Sequence, residues 1–121
     1  MNNQTNLNLI VVKTSRLTDS LSFYRALGLS FVEEQHGTGP KHFSANLGGV
    51  VLELYPGTDG NAPDRKSGGA TMMGFKVASL DGVLAELSKL AIQVISPAKE
   101  SAWGRRAVVA DPDGRAIELS E

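Results

Sequence analysis

The sequence predicts an α+β fold built from two tandem βαβββ modules, with the helices layered on one face of the strands. Three observations carry this. The chain of 121 residues repeats itself: adding 63 takes Leu9 to Met72, Val12 to Phe75, Lys13 to Lys76, Leu17 to Leu80, Leu21 to Leu84, Leu27 to Leu90 and Phe31 to Val94. Adding 65 then takes Leu52, Glu53 and Leu54 to Ile117, Glu118 and Leu119, so the second copy carries a two-residue insertion. Between the copies the composition shifts once, at "PGTDGNAPDRKSGG", which is rich in Gly and Pro and reads as a linker. Within each copy the apolar period changes from two to helical and back. One domain over 1–121 follows, with module one at 5–56, a linker at 57–70 and module two at 71–121.

The elements follow in order. Residues 7–13 alternate, with Ile10 and Val12 on one face. A helix over 18–27 has a stripe of Leu17, Leu21, Tyr24 and Leu27, and Gly28 suits the position just past its end. Strands are expected near 29–36, 41–47 and 50–55. Gly48-Gly49 is a two-residue hairpin signal that pairs Ala45 with Leu52 and Phe43 with Leu54. In module two, a strand over 71–77 places Met73, Phe75 and Val77 together. A helix begins after Ser79, a suitable N-cap, and carries Leu80, Val83, Leu84, Leu87 and Leu90. Strands near 92–96, 105–110 and 115–120 complete it.

Period-two geometry decides which way the polar residues point. If Phe43, Ala45, Leu52 and Leu54 pack on the helices, then His42, Ser44, Glu53 and Tyr55 share the opposite face. The same parity puts Ala116, Glu118 and Ser120 opposite Ile117 and Leu119. That second face meets either solvent or a cavity. Val51, Tyr55 and Ala116 beside the two acids make the mixed apolar and polar lining of a ligand cleft.

Composition narrows the function classes. A formal charge of −1, with scattered basic residues, offers no electrostatic case for nucleic acid or an anionic membrane. The absence of cysteine excludes disulfides, thiolate metal sites and a cysteine nucleophile. No apolar run reaches membrane-spanning length and the N-terminal residues lack a signal-peptide pattern, so a cytoplasmic protein is expected. "DPDG" lacks the remaining oxygen ligands of a calcium loop and reads as a hairpin turn. "GTGP" is followed by no helix and cannot be a phosphate loop. No nucleophile elbow frames a serine.

With "SLSFYRALGLSF" in module one, and "WGRR" and "DPDGRAIEL" in module two, the chain resembles the vicinal oxygen chelate superfamily, which includes glyoxalase I, bleomycin- and fosfomycin-resistance proteins and extradiol dioxygenases. The resemblance implies that each module curls into a half-barrel of mixed sheet around a cavity, and that two copies of the chain form a homodimer. Metal-dependent relatives place their ligands on the first and last strand of each module, which here are Leu9, Glu53, Met72 and Glu118. Leu9 and Met72 are not ordinary ligands for zinc, nickel or iron(II). The His-His-Glu set of the dioxygenases keeps only Glu118, so dioxygenase chemistry is not expected.

The resulting expectation is a protein that binds a small organic molecule with no obligatory metal or other cofactor. Leu9, Met72, Tyr55 and Trp103 would contact the ligand body, while His42, Ser44, Glu53, Glu118 and Arg106 orient it. The alternative is a metal-assisted lyase or isomerase, with a divalent ion on Glu53 and Glu118 or with these acids moving a proton. Lys13 and Lys76 share parity with Leu9 and Met72 and are candidate ion-pair partners of the two acids.

Overall fold

A computed structural model describes residues 5–57, 71–102 and 104–121. The order is β1 (Leu9–Thr14), α1 (Leu17–Ala26), β2 (Val32–Glu34), β3 (His42–Asn46), β4 (Val51–Pro56), β5 (Met73–Lys76), α2 (Leu80–Lys89), β6 (Val94–Ser101), β7 (Gly104–Ala110) and β8 (Ala116–Ser120). Two four-stranded sheets result, ordered β1-β4-β3-β2 and β5-β8-β7-β6. In each, the first strand runs parallel to the last, and the other pairings are antiparallel. The repeat in the sequence is therefore a repeat in topology. The linker expected at 57–70 lies, from residue 58 onward, outside the described residues.

The hairpin register is the one the alternation requires. Gly48 and Gly49 have φ of 71° and 108°, the doubly left-handed turn that suits a two-residue hairpin. Asn46 Oδ1 accepts from both glycine amides, at 3.0 and 3.4 Å. Phe43 then lies opposite Leu54, Ser44 opposite Glu53, and Ala45 opposite Leu52. Leu52 and Leu54 are fully buried, while Glu53 between them is not.

Both helices end and begin as their residues dictate. Gly28, at φ 104°, follows α1 and donates to the Arg25 carbonyl at 2.9 Å. The Ser79 side chain caps α2 by accepting from the Gly82 amide at 3.1 Å. Three details differ from the sequence expectation. β2 is only three residues, and Leu90 follows the last turn of α2 and is exposed rather than buried. β6 is eight residues and carries two register shifts against β7, between Val94 and Ser96 and between Ser96 and Lys99, and Pro97, which cannot donate, falls within the second on this edge strand.

A single apolar core spans both modules. Val12, Leu21, Phe23, Tyr24, Leu52 and Leu54 from the first join Val77, Leu80, Leu87, Val109, Ile117 and Leu119 from the second. Tyr24 is its hinge: its ring meets Phe23 edge-on at 4.8 Å and Phe75 of the other module at 6.1 Å. Its hydroxyl donates to Asp111 Oδ2 at 2.8 Å, in the turn between β7 and β8. "DPDG" is thus a turn, as its residues indicate, and also the polar joint between modules. Burial first, and then the Asp111 carboxylate, push the Tyr24 pKa well above its ordinary value of 10.0.

A raised folded-state pKa keeps the proton on native Tyr24 where the unfolded chain releases it. The corresponding stability is present below pH 10 and declines as pH climbs from about 10 toward the raised value. Tyr24→Phe is expected to remove this part of the alkaline decline. Urea midpoints between pH 8 and 11 check it, and identical slopes in the two proteins would refute the assignment.

Candidate functional site

The faces opposite the core carry the chemistry. In module one the face is built from Leu9, Val11 and Lys13 of β1, Val51, Glu53 and Tyr55 of β4, and His42 and Ser44 of β3. Registered pairing sets Leu9 beside Val51, Val11 beside Glu53 and Lys13 beside Tyr55. Leu9 and Val11 are 46% and 44% exposed, so the β1 edge of this face has no cover within the described residues of the chain. Glu53, with its side chain 17% exposed, places Oε2 3.6 Å from His42 Nε2.

His42 is the buried member of the group, at 1% exposure. Tyr55 stacks on it at 4.1 Å with the rings only 10° from parallel, and its hydroxyl lies 3.2 Å from Nε2. His36 covers it further, with ring centroids 5.1 Å apart. Glu34 Oε1 also lies 3.6 Å from Nε2. The Tyr55 pKa is raised, first by loss of water and then by the Glu53 and Glu34 carboxylates, so this hydroxyl keeps its proton.

In module two, Arg106 and Glu118 form an ion pair across β7 and β8. With Gly74, Phe75, Lys76 and Ser120 they line an open pocket of about 300 Å³. Gly74 sits in register beside Glu118, and a Cβ there would approach Glu118 Oε2 to 3.6 Å. The missing side chain therefore leaves room over the acid. Arg105 points the other way, to Asp81 at 2.9 Å, and its hydrogen bond and charge hold the Asp81 carboxyl below its ordinary range. Alternation along β7 thus selects Arg106 over Arg105 for the open face.

The expected site residues are not gathered into one pocket. His42, Ser44, Glu53, Tyr55 and Leu9 lie on the first sheet, whereas Glu118 and Arg106 lie on the second. Met72 precedes β5 and is 52% exposed, and Trp103 lies outside the described residues. Lys76 lines the Glu118 pocket, where Arg106 is the ion-pair partner of Glu118, and His42 lies beside Glu53 on the first sheet. Glu34 was not foreseen. The signal was there in "EQHGTGPKH", where an acid and two histidines flank a tight hairpin.

The family's four strand positions do not fit a metal. Leu9 offers no lone pair, Met72 offers only a thioether, and the Arg106 guanidinium occupies the Glu118 carboxylate. A second open pocket, of about 470 Å³, runs along the joint between modules and is lined by Arg16, Asp19, Gln93, Asp111 and Asp113. Its charged groups are already paired: Arg16 with Asp19 at 2.8 Å, and both turn aspartates with Arg115 at 3.1 and 2.9 Å.

Comparison with known proteins agrees with this architecture. The model of the glyoxalase/bleomycin resistance protein/dioxygenase superfamily matches residues 6–119. An uncharacterized protein of Mycolicibacterium smegmatis is 32% identical over 110 residues, covering 90% of this chain and 87% of its own. Among solved structures, a glyoxalase/dioxygenase from Nostoc punctiforme superposes with a TM-score of 0.77 at 19% identity, over 97% of this chain and 90% of that one. TnmS3, an antibiotic binding protein from a Streptomyces species, superposes with a TM-score of 0.70 at 20% identity, over 99% and 98%. No helix among the described residues is long and apolar enough to cross a membrane.

Proposed function

The chain belongs to the glyoxalase/bleomycin resistance protein/dioxygenase superfamily, and from that premise we propose that it binds a small organic molecule on the open sheet faces, without a metal at the family's strand positions. The observation that carries this reading is the pocket over β5, β7 and β8. It sets two cations and an acid, Lys76, Arg106 and Glu118, around a space opened by Gly74. Such convergent charge on a sheet floor orients a ligand by its polar groups. A guanidinium can hold a carboxylate or phosphate through two parallel hydrogen bonds. On the first sheet, Tyr55 and the exposed Leu9 and Val11 offer the flat and apolar contacts that suit a ring or chain.

A second copy of the chain would give these faces their cover. The two sheets share one core on the helical side, and among the described residues Leu9, Val11 and the Glu118 pocket are left exposed on the outer faces. A homodimer in which module one of one copy closes over module two of the other would enclose both sets of residues in one cavity. The antibiotic binding protein from Streptomyces supports an organic, drug-sized ligand class for this fold.

Differential scanning fluorimetry against a panel of antibiotics that includes bleomycin, run in excess EDTA, tests the proposal. At least one compound is expected to raise the Tm of the wild type, and the shift is expected to vanish in Arg106→Ala. If no compound shifts the wild type, or if shifts persist undiminished in Arg106→Ala, the reading is wrong.

A further inference from the structure

We propose that the β2–β3 hairpin holds a divalent transition-metal ion on Glu34, His36 and His42, a ligand set other than the four strand positions although it adjoins Glu53, and independent of the ligand pocket over β5, β7 and β8. The fold brings these residues together directly. Glu34 ends β2 and His42 begins β3, and the two are registered partners across the strands. His36 lies two residues beyond Glu34 in the connecting loop, where its carbonyl accepts from the Gly39 amide at 3.0 Å and Gln35 Nε2 donates to the Gly39 carbonyl at 2.9 Å. One ligand atom from each of Glu34, His36 and His42 falls within 4.8 Å of the others.

The hydrogen bonding of His42 makes the case specific. Nδ1 lies 3.3 Å from the Pro40 carbonyl, which can only accept, so Nδ1 donates there and Nε2 is the nitrogen left to face the acids. A hydrogen bond from the far ring nitrogen to a backbone carbonyl is what orients a metal-binding imidazole. Nε2 faces two carboxylate oxygens, Glu34 Oε1 and Glu53 Oε2, each at 3.6 Å. Two carboxylates converging on one imidazole nitrogen favour a cation at that point. The Tyr55 hydroxyl does not fill it, because its ring is stacked nearly parallel to the imidazole and the hydroxyl sits above the ring plane rather than in it.

The spacing suits an ion. Bonds of about 2.0–2.2 Å in a tetrahedral site separate ligand atoms by roughly 3.4 Å, close to the 3.6 Å between Nε2 and each carboxylate. The exposed His36 ring closes the remaining distance by rotating about its side-chain bonds. Two imidazoles and a carboxylate favour zinc, nickel or cobalt(II) over magnesium or calcium. With Glu34, His36 and His42 as ligands, the fourth position falls to water or to Glu53, whose Oε2 lies 3.6 Å from Nε2.

Tag-free, EDTA-stripped protein titrated with zinc chloride and with nickel chloride by calorimetry tests the site. One ion per chain is expected in each titration, and His36→Ala and Glu34→Gln are each expected to weaken binding by at least roughly tenfold. His36 is exposed, so its substitution leaves the fold intact, and far-ultraviolet circular dichroism checks this. Cobalt(II) should give the visible absorption of a tetrahedral site in the wild type and not in His36→Ala. Glu118→Gln should leave the affinity unchanged. Absence of saturable binding, equal binding in His36→Ala and wild type, or loss of binding in Glu118→Gln overturns the proposal. Because no organic ligand is present, these outcomes are separate from the fluorimetry result.

Discussion

Asp111→Ala is expected to destabilise the protein by about 3–5 kcal/mol, the range for removing one partner of a buried, hydrogen-bonded charge network. Its carboxylate is fully buried and accepts from four donors. Oδ1 takes the backbone amides of Asp113 and Arg115 at 3.0 and 2.9 Å. Oδ2 takes the Tyr24 hydroxyl at 2.8 Å and Arg115 Nη1 at 3.1 Å. Alanine would leave the Tyr24 hydroxyl buried without its acceptor and the half-buried Arg115 with only Asp113 as its carboxylate partner. It would also release a connection between modules, because Arg115 Nη2 donates to the Lys13 carbonyl at 2.6 Å. Equilibrium urea unfolding measures the change. A loss under about 1 kcal/mol, the worth of an exposed pair, would show that the turn is not the joint described.

Leu119→Ala is expected to cost about 2–5 kcal/mol, the usual range for truncating a fully buried leucine. Leu119 is fully buried and lies in register with Phe75 and Ala107. The residue before it behaves differently. Glu118 faces the open side with its side chain 20% exposed and pairs with Arg106, which is 38% exposed. Glu118→Gln should therefore change stability by no more than about 1 kcal/mol. The contrast between neighbours tests the parity on which the proposed site depends, with thermal and urea midpoints as readouts. Comparable losses at both positions would mean that Glu118 is a core residue.

Much of the fold was legible because two independent local signals agreed. The Gly48-Gly49 turn and the alternation of 42–55 each imply the same register, and the structure has it. The 63- and 65-residue offsets imply two copies of one topology, and the sheets have matching strand orders. β6 was less legible, since its bulges around Pro97 depend on partners in β7 rather than on its own residues. Helix α1 buries Ser20 and Phe23 as well as Leu21, Tyr24 and Leu27 of the expected stripe, with Leu17 only partly buried, because neighbours close on it from more than one direction.

The site divides in the same way. Alternation along a strand is a property of the backbone, so the sequence alone determined that Glu53, Tyr55 and Glu118 would face away from the helices, whereas the choice of Arg106 over Arg105 came from the register of β7 in the structure. The sequence also determined that the family's strand positions lack two ligands, since Leu9 and Met72 are read directly from the chain. Partner choice is not local. That Glu118 pairs with Arg106 rather than Lys76, that His42 lies beneath Tyr55 between two carboxylates, and that Tyr24 reaches Asp111 depend on distances across strands and modules. Those distances exist only once sheets and helices have packed, and only the tertiary structure could decide them.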